Sequence, residues 1–381
     1  MFITGWVLFI MVVLWVVPST AALVRKQLRI HRSSIPGKFP ELISVIVPAR
    51  NEGENIEKAL TSLLASEQVQ IELIVVNDRS TDQTGQIIDR VAASDARIQP
   101  VHISQLPDGW LGKNNAMHVA AQRAHGQLLL FTDGDVIYEP LAIFSAVTFL
   151  RERRLEHLCL LPRMLPGSLL ENATVAWFGL AFAIGTQLQL LHTRWIRSYA
   201  GVGAFNLIDA RFYRSIGGHQ PIALDVLDDV KLGKLVKNNG GRQDFQSGPE
   251  LLSIRWQPSL WGVITGLEKN GFAALNYSLP QIGLVTVAFL STMILPYVAA
   301  AALPFPTNSG FLAAALVWHL CYGAASALAG GGWKLAPLFP VAACIMAFAF
   351  WRSAFITLRQ GGVRWRDSFY PLSQLRPAVY K

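Results

Sequence analysis

Leu128-Leu129-Leu130-Phe131 is an apolar run of strand length that passes through Thr132 straight into Asp133-Gly134-Asp135, two carboxylates separated by a glycine. A strand apolar at every position is buried on both faces, which is the habit of parallel sheets covered by helices. Carboxylates beyond the carboxyl end of such a strand lie where open α/β sheets bind ligands. Side chains two apart on an extended segment share a face, and Gly134 frees the backbone to turn after Asp133. Two hard oxygen ligands at one point suit Mg²⁺ or Mn²⁺. Taken alone, Asp-Gly-Asp is also an ordinary strand-end turn, so the weight falls on the rest of the chain.

The same pattern recurs upstream. Ile43 to Val47 reads as a strand and runs into Pro48-Ala49-Arg50-Asn51-Glu52; Ile71 to Val76 runs into Asn77-Asp78-Arg79-Ser80; Ile98 to Ile103 is a third strand, followed by the loop Pro107 to Lys113. Helical spacing separates them, through Ile56, Leu60, Leu63 and Leu64, then Ile87, Ile88 and Val91, then Ala116 to Ala124. Ser80 with Gln83 predicts a capping box for the second of these helices. Strand–helix alternation of this kind predicts an α/β fold, a mainly parallel sheet with helices on both faces. Charge gathers at the strand carboxyl ends: Arg50 and Glu52, Asp78, then Asp133 and Asp135.

Downstream, Phe205 to Tyr213 reads as a strand turning into a short helix closed by Gly217-Gly218-His219. Asp225 to Leu235 reads as a helix with Leu227, Leu232 and Leu235 on one side and aspartates at its amino end, where the helix dipole favours them. Asp225 and Asp228 serve as caps on the plain reading, yet Asp225, Asp228 and Asp229 make three carboxylates in five residues, more than capping needs. Leu251 to Trp256 ends in Arg255-Trp256, a cation beside an aromatic that suits a diphosphate and a stacked ring, and equally an interfacial position.

Composition sets a second constraint. The chain has 381 residues, 52% apolar and 15% charged, more apolar than ordinary soluble enzymes. Met1 to Val24 is uncharged, and as a helix it rises ~36 Å, enough for a ~30 Å hydrocarbon core. Pro18 is a point where that helix can kink. Arg25, Lys26, Arg29, Arg32 and Lys38 follow the run rather than precede it, which argues against a cleaved signal and puts residue 25 onward on the cytoplasmic side. The net charge of +8 lies beside apolar segments, which favours lipid headgroups over nucleic acid as its partner. Asn172 to Thr193 is long enough to span, but crossing there would separate Asp133 from Asp228, so an interfacial or buried helix is expected. Three further apolar stretches, about Gln281 to Leu303, Phe311 to Leu328 and Leu335 to Trp351, precede a basic tail with Arg352, Arg359, Arg364, Arg366, Arg376 and Lys381. Three crossings conflict with a tail on the same side as the sheet; Leu335 to Trp351 is short for a full span, and a re-entrant stretch among the three would remove the conflict. Cys159, Cys321 and Cys344 have no metal-ligand spacing and read as small buried apolar residues.

In order, SVIVPARNE, IVVNDRSTDQT, GWLGKNNA, FTDGDV, LDDVKLG and IRW resemble the motifs of the membrane-bound inverting glycosyltransferases of family 2, over about Ser44 to Trp256. The likeness is greatest to lipid-directed members such as ceramide glucosyltransferase and the hopanoid- and carotenoid-associated bacterial enzymes, and it continues into the tail GGVRWRDSFYPL. The resemblance implies a GT-A fold, a UDP-sugar donor, a divalent metal and a membrane lipid acceptor. Together with the apolar stretches and the charge pattern, this gives a helix at 1–24, a catalytic domain at 40–258 on the cytoplasmic side, an interfacial segment at 259–280, membrane helices over 281–351 and a basic tail at 352–381. By the same resemblance Pro48, Ala49, Glu52 and Asp78 hold the nucleoside, Lys113 reaches the donor's phosphate or sugar, Asp133 binds ribose or sugar hydroxyls, and Asp135 holds the metal. Asp229 becomes the general base, preceded by Asp228 where the family has Glu, and Arg255 and Trp256 match the end of a Gln-x-x-Arg-Trp motif. The Gln position is Leu252, which argues for transfer of a single sugar. The rival readings are a processive polysaccharide synthase, a membrane nucleotidyltransferase releasing pyrophosphate, and a transporter or scaffold with a degenerate nucleotide-binding domain.

Overall fold

The computed structural model describes residues 1–29 and 39–379; Arg32, Lys38 and Lys381 of the charge pattern lie outside them. The chain forms two compact units, one of Lys26–Met164 with Leu190–Arg255, the other of Met1–Arg25, Leu165–Gln189 and Trp256–Lys381, the last beginning with helix α1 (Phe2–Arg25), which is continuous through Pro18.

The unit that begins at Lys26 is built on eight strands: β1 (Leu42–Ala49), β2 (Gln70–Asp78), β3 (Ile98–Ile103), β4 (Leu128–Phe131), β5 (Ile137–Tyr138), β6 (His157–Met164), β7 (Asn206–Asp209) and β8 (Gln243–Ile254). They lie in the order β3-β2-β1-β4-β7-β6-β8-β5. β1 is parallel to β2 and β4, β2 to β3, and β6 to β8; β7 is antiparallel to β4 and β6, and β5 to β8. Alternate residues serve two cores. Val45, Val47, Leu73, Val75, Leu128 and Leu130 pack under α2 (Ile56–Leu64), α3 (Thr84–Ser94) and α5 (Ala142–Glu152). Ile46, Ile74, Val76, Leu129 and Phe131 pack under α4 (Gly112–Arg123), α7 (Ala210–Ser215) and α8 (Asp228–Asn238). A sheet covered on both faces needs apolar residues at every strand position, and each fully buried Leu, Ile or Val stabilises by about 1.5–3 kcal/mol.

The capping box does not form. Gln83 is the cap residue of α3 and makes no side-chain cap bond. The Asp82 carboxylate accepts from the Thr84 N–H (3.0 Å) and the Gly53 N–H (3.0 Å), while the Ser80 hydroxyl accepts from the Asn51 N–H (3.1 Å). A carboxylate is the stronger acceptor, and Ser80 is used instead to tie together the loops that follow β1 and β2.

In the other unit, α6 (Leu169–Thr186) starts with a Ser168–Glu171 capping box, and α9 (Leu260–Gly266) and α10 (Gly271–Ala274) follow. Next comes one long helical rod, α11 (Leu279–Phe289), a π-helical turn over Leu290–Ile294, and α12 (Leu295–Ala302). The π turn has a local cause. Pro296 offers no N–H and its ring displaces the carbonyl four residues back, that of Thr292. That carbonyl accepts from Trp318 Nε1 at 2.8 Å, from helix α13 (Ser309–Leu328). α13 runs alongside α1 in the same direction, with Gly310 against Gly5 and Cys321 near Thr20.

After α13 the chain reverses at Gly330 and Gly332, both with positive φ, and climbs back along the helix it has just left. Trp333 lies on Gly323, and the Gly332 carbonyl accepts from Ser326 Oγ (2.9 Å). Phe339 then stacks on Trp318, 5.1 Å between ring centroids, at the middle of α13. From there α14 (Phe339–Gln360) descends past Thr286, whose Oγ1 accepts from Trp351 Nε1 (3.0 Å). It ends beside the residues that precede α11: Arg352 pairs with Glu268 (2.8 Å), Ser353 Oγ accepts from the Phe272 N–H (2.8 Å), and in the terminal helix α15 (Leu372–Val379) Arg376 donates to the Tyr277 carbonyl (3.3 Å). A hairpin of β9 (Gly362–Trp365) and β10 (Ser368–Pro371) joins α14 to α15. α6 touches α13, α14 and α1 at different points: the Ala173 carbonyl accepts from Tyr322 Oη, Trp177 packs near Met346, and Gln189, just after α6, accepts from Ser19. The helix ending in Gln360 is thus longer than the stretch expected at 335–351. Cys159 and Cys321 are buried, but Cys344 is exposed on α14, against the expectation that all three are buried.

Trp318→Phe removes the donor to the Thr292 carbonyl and is expected to lower stability by about 1 kcal/mol. In a Pro296→Ala background, where residue 296 regains its N–H, the same change is expected to cost less; thermal unfolding of the four detergent-solubilised proteins in this double-mutant cycle measures the difference.

Candidate active site

Lys113, one residue into α4, is the centre of the polar edge of the sheet. Its ammonium lies 2.7 Å from Asp133 Oδ1 and 3.2 Å from Asp228 Oδ2. Burial acts to lower its pKa, but the charges of Asp133, Asp228 and Asp229 outweigh burial and raise it, so it stays protonated. One cation therefore joins the carboxylate after β4 to the carboxylates at the start of α8. The cap of α8 is Leu227, with no side-chain cap bond. Asp228 therefore does not cap, as the plain reading had it, but faces Lys113. Asp225 does not cap either; it pairs with Lys231 at 3.3 Å.

The carboxylates are crowded. Burial, then Asp133 and Glu52, push Asp135 up to about 7. Burial, then Asp228, push Asp229 up to about 6, although its Oδ1 accepts from the Val230 N–H (2.8 Å). Among the described residues no group of three or more His, Cys, Asp or Glu is arranged around a metal position. Asp135 still fits a divalent ion of the Mg²⁺ kind, which is commonly held by one or two carboxylates and completed by substrate phosphates. The negative charge of Asp133 and Glu52, which adds to burial in lifting the pKa of Asp135, marks a place where positive charge is stabilising. Gly134 does not have a positive φ; a Cβ there would lie 3.2 Å from Ile56 Cδ1.

Glu52 belongs to this cluster through its effect on Asp135, and its N–H donates to Thr84 Oγ1 (2.8 Å). Pro48 and Ala49 close β1 beside it. Asp78 ends β2 with both oxygens engaged by Arg79, at 2.7 and 3.0 Å. It lies against the start of α4, where a Cβ on Gly112 would come within 2.4 Å of Asp78 Oδ2. Arg255 closes the sheet unit, whereas Trp256 belongs to the other, its ring 4.8 Å from that of Phe178 in an apolar cluster with Val263, Leu267 and Met346.

Sequence reasoning misses several residues. Asn114 Nδ2 donates to the carbonyls of Ile222 (2.8 Å), Ala223 (3.2 Å) and Asp225 (3.0 Å), which sets the approach to α8 from the start of α4. The segment 199–203 lies over Asp229 and Asp133. A Cβ on Gly201 would fall 1.8 Å from the Asp229 carbonyl oxygen, and one on Gly203 2.7 Å from Asp133 Oδ2. A buried network holds this segment. Gln243 Oε1 accepts from the Ala200 N–H (2.9 Å), Gln243 Nε2 donates to His157 Nδ1 (2.6 Å), and His157 Nε2 donates to Asn206 Oδ1 (3.1 Å). Burial pushes His157 down to about 4, so it is neutral and has one donor and one acceptor nitrogen, as this chain of bonds requires. Only the adjacent polar-and-glycine stretch Tyr199-Ala200-Gly201-Val202-Gly203 signals any of this in sequence.

Lys113→Met leaves Asp133 and Asp228 facing each other without their cation, and a loss of the order of 3 kcal/mol is expected. Adding Asp228→Asn is expected to recover part of that loss; denaturant unfolding of the single and double variants measures it.

Residues 44–183 match the family model described as Glycosyl transferase family 2. The 4,4'-diaponeurosporenoate glycosyltransferase of Staphylococcus haemolyticus is 23% identical over 257 residues, 67% of each chain. The uncharacterized glycosyltransferase EpsJ of Bacillus subtilis is 36% identical over 107 residues, 28% of this chain and 29% of its own length. A solved mannosyltransferase from Pyrobaculum calidifontis, PcManGT, in complex with GDP-Man and Mn²⁺, superposes with a TM-score of 0.51 at 17% identity, over 93% of this chain and 96% of that one. Residues 44–183 thus resemble a family 2 glycosyltransferase domain, and the mixed sheet that carries them has the GT-A arrangement.

Proposed function

We propose that the protein moves one sugar from a UDP-sugar to a hydroxyl of a membrane lipid with inversion at the anomeric carbon. The observation that carries this reading is the ammonium of Lys113 set between Asp133 and Asp228, with Asp229 next to it in sequence. It supports a single site assembled from β4, α4 and α8. Asp229, pushed up to about 6, is a base mostly ionised at neutral pH yet basic enough to take a hydroxyl proton. In one in-line displacement the acceptor O–H gives its proton to Asp229, its oxygen bonds to the anomeric carbon, and the bond from that carbon to the diphosphate oxygen breaks. The products are an inverted glycoside and the nucleoside diphosphate. Asp228 keeps Lys113 in place toward the donor's phosphate or sugar, and Asp133 faces ribose or sugar hydroxyls. Pro48, Ala49, Glu52 and Asp78 receive the nucleoside, and Arg255 and Trp256 stand at the end of β8. Asp135 would hold Mg²⁺ or Mn²⁺, which offsets the negative charge that grows on the departing diphosphate. The fold relative solved with GDP-Man and Mn²⁺ supports a nucleotide-sugar donor and a metal of this class, and the carotenoid glycosyltransferase likeness supports a lipid acceptor. Leu252, in the place of the family's Gln, is buried in the sheet core opposite Tyr138, which favours single transfer over processive synthesis.

Among the described residues five helices are long and apolar enough to cross a membrane: Phe2–Arg25, Leu169–Thr186, Leu279–Ala302, Ser309–Leu328 and Trp333–Gln360. The contacts within their unit support a reading with fewer crossings. α1 enters from outside, α11–α12 goes out and α13 returns. The segment 329–338 and α14 then make a re-entrant hook, because α14 starts level with the middle of α13 and ends beside the residues before α11. α6, which touches three helices in turn, lies across the bundle. This even count between the sheet and the basic tail leaves both on the cytoplasmic side, as the excess of arginine predicts.

Asp229→Asn is expected to lower turnover by about 10²–10⁴-fold, measured by release of UDP with membrane lipids as acceptor. Wild-type kcat/KM is expected to fall as pH drops through about 6, because Asp229 is then protonated and cannot accept the hydroxyl proton. Equal turnover by Asp229→Asn would remove it from the mechanism. A cysteine introduced at Asn308, in a Cys344→Ser background that keeps only the buried Cys159 and Cys321, is expected to react with an impermeant maleimide only from outside the cell, and one at Gly361 only after the membrane is opened.

A further inference from the structure

We propose that the turn at residues 192–197 is a finger by which the catalytic unit docks on anionic lipid headgroups. It rests on the membrane-lipid reading above and names the surface on which that site works. His192, Arg194, Trp195, Ile196 and Arg197 are all exposed, Trp195 at 51% and Ile196 at 60%. Large apolar side chains on a short turn are normally folded inward, and this turn is built to hold them out. Leu191 at its base is fully buried. The Lys237 ammonium, on a residue only 6% exposed, donates to the carbonyls of Leu191 (2.7 Å) and Thr193 (2.6 Å). Thr193 Oγ1 donates to the Leu190 carbonyl (2.7 Å) and accepts from the Trp195 N–H (3.1 Å), and the Ser198 N–H closes the turn on the Trp195 carbonyl (3.0 Å).

The chemistry of the tip selects its partner. A tryptophan and an isoleucine flanked by two arginines and a histidine combine an apolar wedge with phosphate-seeking cations, which is the composition that settles at a headgroup boundary. An acidic protein surface would pair with the arginines but leave Trp195 and Ile196 in water. A second copy of this chain, at net charge +8, offers no matching excess of acid. Anionic phospholipid satisfies both halves. The turn leads directly into 199–203, where Gly201 meets the Asp229 carbonyl and Gly203 meets Asp133. A finger seated among headgroups therefore holds the loop over the base at the depth where lipid hydroxyls lie.

The test uses the full chain with Ile196→Cys in a Cys344→Ser background, spin-labelled and reconstituted into vesicles of phosphatidylcholine, with or without phosphatidylglycerol. Asp108→Cys, at an exposed loop position, is the water-side control. The label at 196 is expected at headgroup depth by its relative accessibility to oxygen and a nickel chelate, and deeper when phosphatidylglycerol is present. Arg194→Gln with Arg197→Gln is expected to abolish that response. In the same vesicles, wild-type sugar transfer is expected to rise about tenfold with anionic lipid, and the double variant to rise much less. A label at 196 as water-exposed as the one at 108 in both lipids overturns the proposal, and so does a depth indifferent to phosphatidylglycerol. A label at headgroup depth in a chain that transfers no sugar would leave the docking intact and defeat the transferase reading instead.

Discussion

A single ammonium fixes the geometry on which the rest of this site depends. Asp133 follows β4, Asp228 begins α8, and more than ninety residues separate them in sequence. Two carboxylates brought that close repel each other unless a cation lies between, and Lys113 is that cation. Its position follows from α4, whose first turn is anchored by Asn114 to the three carbonyls that lead into α8. The charge that organises the site and the backbone bonds that aim it thus come from adjacent residues.

Around this contact the protein leaves no slack. Gly201 and Gly233 are positions where a methyl group would meet backbone oxygen at 1.8 and 1.9 Å, so segment 199–203 and α8 approach as closely as main chains can. A neutral histidine, a glutamine and an asparagine hold that approach from behind, each with its polar atoms bonded to the next. Polar networks of this kind are stable only when satisfied, and a satisfied network specifies one arrangement of the loop that lies over Asp229.

The apolar helices follow a different logic. Pro296 breaks the ladder of the α11–α12 rod and exposes a carbonyl, and Trp318 supplies the missing donor from α13. Phe339 stacks on the same indole, which sets the height at which α14 begins. One tryptophan therefore both repairs one helix and seats the start of another.

The order of β1 to β4 with the helices between them, the two-faced sheet and the acidic ends of the strands were legible in the sequence because burial on both faces leaves an uninterrupted apolar signature, and because Asp133, Asp135, Asp228 and Asp229 exceed what turns and caps require; β5, α5 and β6 were not read. Local rules failed where a longer-range partner competed: Ser80 joined Asn51 rather than capping α3, and Asp228 met Lys113 rather than capping α8. Asn114, His157, Gln243 and Gly201 left almost no trace, since an amide, a ring or a missing side chain acquires its meaning only from what lies opposite. Hydropathy marked three apolar stretches after Asn270, but not the depth at which each begins. Composition and periodicity are properties of one segment and can be read along the chain. Depth, charge pairing and close approach are relations between segments, and only the folded chain brings both members together.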